Sequence, residues 1–211
     1  ESRIFVEVDP ADIVTFADYA FNELKARFVI SVGDDQREKA NVNSFVVTHI
    51  FSLDTDKLFL CLQTAVDSAQ PVIDAITTKV PAANWAEREF QDLLGVKLNG
   101  HPDPRRLVLA DDWPDGLHPL RRDFPHDYKP PADSTAKVSL KEPPEGTTVL
   151  PVGPFYPVLE EPAYFRLFIE GEQIVGCDYR GFYNHRGIEK LGMSVLTYNQ
   201  LPFLAERICG I

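Results

Sequence analysis

Apolar and polar residues alternate or recur along the first ninety-odd positions with two different periods, and those periods predict the elements. Residues 3–8 are apolar and β-branched enough for a first strand. Asp9-Pro10 follows as a helix start, Asp9 able to cap free backbone N–H groups and Pro10 suited to the first helical position. Ile13, Phe16, Ala20 and Leu24 then recur at helical spacing and predict one buried stripe. Residues 27–32, 44–53 and 57–64 read as three further strands, the last two joined by the turn Asp54-Thr55-Asp56. The polar stretch 34–43 reads as a mobile loop between strands.

Residues 71–79 and 82–94 are expected to be helices. In the second, Ala86, Phe90, Leu93 and Leu94 form an apolar stripe, Arg88 and Asp92 are placed to pair on the open face, and Gly95 ends the helix. The order β-α-β-β-β-α predicts an α+β fold in which a small sheet has one face covered by helices. From 97 to 124 no period survives; Lys97, Arg105, Arg106, Arg121 and Arg122 stand there against Asp103, Asp111, Asp112, Asp115 and Asp123. Such balance suits a loop whose Arg forks hold it together or hold a neighbour.

Residues 126–149 are Pro-rich, polar and poor in large aliphatics, as expected of a linker. Beyond them, 164–170 and 173–179 alternate around Gly171-Glu172, a compact hairpin, and 183–193 and 197–209 read as short helices, with Pro202 near the start of the second. A hairpin and two helices on their own would leave apolar faces exposed, so disorder or non-native packing is expected there.

Composition narrows the function. A net charge of −11 argues against nucleic-acid binding, and no run approaches the length needed to span a bilayer. The first residues carry no basic–apolar signal, so any membrane association is expected to come through a partner. Cys61, Cys177 and Cys209 are too few and too odd for a disulfide framework and suit a reducing compartment. Cys61 and Cys177 read as inert core residues, Trp85 and Trp113 as core or interface aromatics. His101 and His118, each before a proline and without Cys or Glu at ligand spacing, read as loop-fixing hydrogen-bonders. A start without Met and an end inside a motif read as a piece of a longer protein.

Four ordered elements carry a first resemblance: Glu87-Arg88-Glu89, Asp92-Leu93-Leu94-Gly95, Gly100-His101-Pro102-Asp103-Pro104-Arg105-Arg106 and His118-Pro119-Leu120-Arg121-Arg122-Asp123-Phe124. In register they resemble the signature of the 30 kDa subunit of respiratory complex I. The resemblance implies that residues 1–125 form that domain, bind no cofactor themselves, and dock on a catalytic 49 kDa-type subunit and an iron–sulfur subunit. Glu87, Arg88, His101, Arg105, Arg106, His118, Arg121, Arg122 and Asp123 are its expected docking residues.

After the linker, Gly153-Pro154, Leu159-Glu160-Glu161-Pro162, Tyr183-Asn184-His185-Arg186-Gly187-Ile188-Glu189-Lys190 and Glu206-Arg207-Ile208-Cys209-Gly210-Ile211 are similar to the start of large subunits of energy-converting nickel–iron hydrogenases. Residues 150–211 would be the N-terminal piece of such a domain, and the fusion of both units resembles the formate hydrogenlyase (hydrogenase-4) type. The resemblance implies a nickel–iron centre in the full-length enzyme with Cys209 as one ligand, the motif's second cysteine falling at position 212, and iron–sulfur clusters in partner subunits. It makes Arg207 a neighbour of the metal, Glu161 (or Glu160, one step away) a proton-relaying carboxylate, and His185 with Glu189 a structural network or proton path. The expected partners are an iron–sulfur small subunit and membrane subunits, the expected place the inner face of the cell membrane, reached peripherally from the cytoplasm. The alternative is a fused NADH:quinone oxidoreductase subunit of 30/49 kDa type. Where complex I relatives carry a His-bearing quinone loop, this chain reads Phe155-Tyr156-Pro157.

Overall fold

The computed structural model describes residues 2–37, 43–132, 134–155, 162–181, 183 and 185–208. The chain divides into two compact units that interleave in sequence. The first holds Glu1–Pro104, Gly116–Tyr128 and Ile188–Ile211, the second Arg105–Asp115 and Lys129–Gly187. These units cut across the linear boundaries at 125 and 149 expected from the sequence.

In the first unit, β1 (Arg3–Glu7), β2 (Arg27–Asp35), β3 (Ser44–Leu53) and β4 (Leu58–Asp67) form one sheet in the order β1-β4-β3-β2, with β1 parallel to β4 and the other pairs antiparallel. This is the small mixed sheet of an α+β fold. Alternation decides its faces: Phe45, Val47, His49 and Phe51 on β3 are fully buried, as are Leu62 and Val66 on β4. Helices α1 (Ile13–Asp18) and α2 (Asn84–Leu94) supply the other half of that core through Ile13, Ala17, Phe90 and Leu94. Gly33 on β2 is what lets α2 lie close, since a Cβ there would stand 2.5 Å from Leu94 Cδ1 and 3.0 Å from Phe90 Cβ.

The buried stripe is Ile13 and Ala17 on α1 and Ala20 just beyond it, while Phe16 is 43% and Leu24 39% exposed. After Asp18 the helix widens, the Leu24 N–H reaching the Tyr19 carbonyl, which shifts the phase of everything beyond. Residues 71–79 do not make a helix. Val72–Asp74 is a short strand, β5, parallel to β6 (Lys97–Asn99), and Ile76–Thr78 makes one tight turn. Val72, Ile73, Ile76, Thr77 and Thr78 are all β-branched, which weakens a helix and favours extended chain. The polar stretch after β2 begins two residues later than expected because the strand runs on to Asp35; residues 38–42 lie outside the described residues. Two short helices complete this unit, α3 (Ile188–Ser194) and α4 (Leu201–Ala205), both shorter than the sequence suggested.

The second unit is built on an antiparallel sheet of β7 (Thr148–Val152), β8 (Tyr164–Glu170) and β9 (Gln173–Arg180). The hairpin turn at Gly171 has φ +61°, and Gly176 faces Phe168 in register, leaving room for a ring that is 1% exposed. The expected hairpin therefore has a third strand, and the expected linker contributes to the unit through Ser139 and Lys141. Cys177 is exposed on this hairpin rather than enclosed, whereas Cys61 is buried.

Candidate functional site

The C-terminal end of α2 is where the signature residues of the first unit converge. A helix leaves its last four carbonyls without partners inside it. Here Gly95, at φ +76°, turns back its own N–H onto the Gln91 carbonyl at 2.9 Å. His118 Nδ1 sits 2.8 Å from the Asp92 carbonyl, the Leu120 N–H donates to the Leu93 carbonyl at 3.0 Å, and Arg121 Nε donates to the Leu94 carbonyl at 2.7 Å. The segment 118–121 thus caps the helix from a distance, with cationic Arg121 at its negative end. A carbonyl only accepts, so His118 carries its hydrogen on Nδ1.

The same segment then grips the end of β2. The Arg122 N–H donates to Asp35 Oδ2 at 2.8 Å and its Nε to the Asp35 carbonyl at 2.5 Å. Arg37 bridges Asp35 at 2.7 Å and Asp123 at 2.8 Å. Asp35 is 3% exposed. Burial alone would raise its pKa, but the Arg37 guanidinium and the Arg122 and Arg37 N–H groups outweigh that and hold it at about 2. Arg37 and Arg121 both lie over the Phe45 ring, at 5.1 and 5.2 Å. From α3, the buried Lys190 donates to the Arg121 carbonyl at 2.7 Å and reaches the Arg122 carbonyl at 3.4 Å.

A second cluster fills the other end of α2. Glu87, at 0% exposure, accepts the N–H groups of Ile76 at 2.8 Å and Thr77 at 3.1 Å, and also the Thr77 hydroxyl. His101 Nδ1 accepts the Asp103 N–H at 3.0 Å, which directs Nε2 toward Thr77 Oγ1 at 3.4 Å and Glu87 Oε2 at 3.9 Å. Burial raises the Glu87 pKa against those hydrogen bonds, and burial, with Arg88 nearby, lowers that of His101. Both shifts favour the neutral forms. Arg88, 4% exposed, lies 3.5 Å from Asp103, and Asp92 is 6% exposed, so neither stands on an open face. Glu87, Arg88 and His101 were expected among the docking residues; enclosed as they are, their partners are the domain's own chain.

Arg105 and Arg106 belong to the second unit. Asp178, 2% exposed, accepts Arg105 Nη2 at 3.0 Å and the Lys141 N–H at 2.8 Å, with Arg166 Nη1 at 3.4 Å. Arg105 also donates to the Ser139 carbonyl at 3.0 Å and Arg166 to that of Lys141 at 2.8 Å, which straps the Pro-rich stretch to the sheet. Burial would raise the Asp178 pKa, but Arg105 and the Lys141 N–H bring it below the usual value. Arg106 donates to the carbonyls of Ala110 and Trp113 and pairs with Asp115. Arg180 pairs with Asp111, and the His185 ring stands edge-on to Trp113 at 6.0 Å.

The remaining expected residues are scattered. Glu189 lies on α3 in the first unit, where its charge, after burial, helps raise the Glu89 pKa; His185 is in the second unit. Arg207 follows α4, its N–H on the Leu204 carbonyl. Glu161, Glu160 and Cys209 lie outside the described residues. Among the described residues no group of three or more His, Cys, Asp or Glu is arranged to hold a metal ion. No helix among them is long and apolar enough to cross a membrane. Sequence reasoning missed Asp35, Arg37, Lys190 and Asp178. Only Lys190, inside a noted motif, left any signal.

These contacts define a small α+β domain whose charged loop is stapled to the end of its principal helix. Residues 6–130 match the family described as respiratory-chain NADH dehydrogenase, 30 Kd subunit, and the chain belongs to that family. Among curated relatives it is 42% identical over 185 residues to hydrogenase-4 component G of Escherichia coli, covering 85% of this chain and 33% of that protein. It is likewise 42% identical over 185 residues to formate hydrogenlyase subunit 5 of Escherichia coli, covering 85% of this chain and 32% of that one. To the C/D subunit of NADH-quinone oxidoreductase from Phocaeicola vulgatus it is 30% identical over 181 residues, covering 77% of this chain and 34% of the relative. The chain thus spans about a third of the length of each of these proteins.

Proposed function

We propose that this chain is the N-terminal portion of the large subunit of a membrane-associated, energy-converting nickel–iron hydrogenase. The observation that carries the reading is its 42% identity to hydrogenase-4 and formate hydrogenlyase subunits, together with the run Arg207-Ile208-Cys209-Gly210. Soft thiolates suit a redox nickel, and Cys209 would be this chain's one donor, the rest of the set coming from parts of the protein outside these residues. On this reading Arg207 would stabilise the Cys209 thiolate, Glu161 would relay protons, and His185 and Glu189 would serve a proton path or its framework. Iron–sulfur clusters would sit in partner subunits, and the assembly would lie peripherally on the inner face of the cell membrane.

For residues 1–125 we propose a scaffold role, docking an iron–sulfur subunit and its neighbours. What supports it is the exposed run Arg122-Asp123 beside the helix cap, held in place by buried residues that would not themselves meet a partner. The second reading, a fused NADH:quinone oxidoreductase subunit, is favoured by the 30% identity to the C/D protein of that oxidoreductase.

Nickel content of the full-length protein purified from its host, wild type against Cys209→Ser, tests the choice. Stoichiometric nickel lost on substitution establishes the hydrogenase reading; no nickel in either protein moves the assignment to the quinone-linked one. Docking is tested by assembly of the complex with Arg122→Glu, and assembly left intact would remove that role from this segment.

A further inference from the structure

The guanidinium of Arg121 stands apart from the other charges around it. Arg37 is committed to Asp35 and Asp123, and Arg122 to Asp35 with Asp34 at 3.9 Å. Arg121 gives its Nε to the Leu94 carbonyl and lies over the Phe45 ring, and among the described residues neither of its terminal amino groups has a hydrogen-bond or ion-pair partner. One of them, Nη2, lies 2.6 Å from where a side chain at position 95 would begin, so the absence of that side chain gives it its place.

Arg121 is also among the residues lining a cleft of about 310 Å³, with Leu117, His118, Asp123, Phe124 and Tyr128. Phe124 and Tyr128 meet edge to face, 5.7 Å between centroids, and Tyr128 is 47% exposed. The cleft therefore joins a guanidinium whose terminal amino groups have no partner among the described residues to an apolar, aromatic wall. It is small, at the lower end of the range for ligand pockets, with room for a side chain and its neighbour.

We propose that this cleft receives the carboxylate of an aspartate or glutamate on a partner polypeptide, with Arg121 as the recognising cation and the Phe124–Tyr128 pair as the wall for an adjoining apolar side chain. The inference rests on the docking role proposed above for this segment and names the chemistry of what docks. A guanidinium offers two parallel N–H groups to one carboxylate, and a charge-assisted bond of that kind is roughly twice as strong as a neutral one. Asp123 does not serve, because Arg37 takes both of its oxygens, at 2.8 and 3.3 Å.

The test is a titration of the ¹⁵N-labelled 211-residue chain at neutral pH with acetyl-Leu-Glu-Leu-amide, acetyl-Leu-Gln-Leu-amide and sodium acetate. The Glu peptide is expected to move the Arg121 Nε–H signal and the Phe124 and Tyr128 amides, and to bind at least about threefold more tightly than the Gln peptide. Tyr128→Ala, which leaves the helix cap alone, is expected to weaken the Glu peptide by a similar factor. Equal binding of the two peptides, acetate acting as strongly as the Glu peptide, or no movement of these signals would overturn the proposal. Loss of the docking role shows separately: the complex would assemble with Arg122→Glu while the cleft still bound the Glu peptide.

Discussion

Arg121 and Leu94 are 27 positions apart, and Arg121 Nε donates to the Leu94 carbonyl at 2.7 Å. That bond closes the end of α2 with a residue from another part of the chain, and it needs position 95 to carry no side chain.

Gly95→Ala is therefore expected to cost more than a left-handed residue usually does. Gly100 is the control: its φ is +71°, yet nothing lies within 4 Å of an added Cβ. Gly100→Ala should lose about 1 kcal/mol from backbone strain alone, and Gly95→Ala about 3 kcal/mol, because the new Cβ also overlaps His118 and Arg121. Urea unfolding of the two variants decides it, and equal midpoints would show that the cap tolerates displacement.

Acid should destabilise the first unit in two stages. His49 is fully buried, hydrogen-bonded to Ser31 at 2.7 Å, and burial lowers its pKa to about 3. The unfolded chain protonates it near 6.5, so the unfolded state binds more protons between those values and stability falls as pH drops through that window. The full effect is on the order of 5 kcal/mol. Asp35, held at about 2, acts only below the ordinary carboxylate range, its contribution present above that range and lost as pH falls toward 2. The double variant Ser31→Ala/His49→Leu should make the stability profile shallower between about pH 6 and about pH 4, the smaller slope from His101 remaining, and leave the lower stage in place. A wild-type profile already flat there would refute the role of His49.

The strands, the hairpin at Gly171 and the cap at Gly95 were legible because each is written in a local pattern: alternation, a turn pair, a glycine after an apolar stripe. What the pattern hid was long-range. Asp35 and Arg122 meet across 87 positions, and no local period announces such a pair. Arg88 and Asp92 looked like a solvated i,i+4 pair, yet Arg88 lies against Asp103, His118 sits on the Asp92 carbonyl, and both residues are enclosed. Residues 71–79 misled because their apolar spacing fits a helix while their β-branching does not. The signature residues were recognisable as a group, but not that several of them serve the domain's own architecture.

In the second unit Asp178 is the test of that architecture. Asp178→Asn would leave Arg105 and Arg166 around a neutral amide in an enclosed place, a loss of about 3 kcal/mol by analogy with broken buried pairs. Hydrogen exchange is expected to quicken along β8 and β9 while β3 and β4 keep their protection. Unchanged exchange in β9 would mean that the strap at 139–141 is not what holds the sheet.

Lys190 ties α3 to the segment 118–124 within the first unit. Its ammonium is buried at 6% exposure with carbonyl acceptors from Arg121 and Arg122. A buried ammonium is tolerated only where acceptors replace water, so the contact is strong when made and costly when one side is removed. Lys190→Met keeps the apolar stem and removes the donors; Lys190→Arg keeps a cation. The Met variant should speed amide exchange in α3 by about tenfold or more, the equivalent of one lost charged hydrogen bond, with Arg recovering part of it. The other apolar anchorage of α3 is α4: a Cβ at Gly192 would stand 3.3 Å from Leu201 Cδ2 and 3.9 Å from Leu204 Cδ2. Full protection of α3 in Lys190→Met would show that those apolar contacts suffice, and that α3 does not depend on the helix cap for its position.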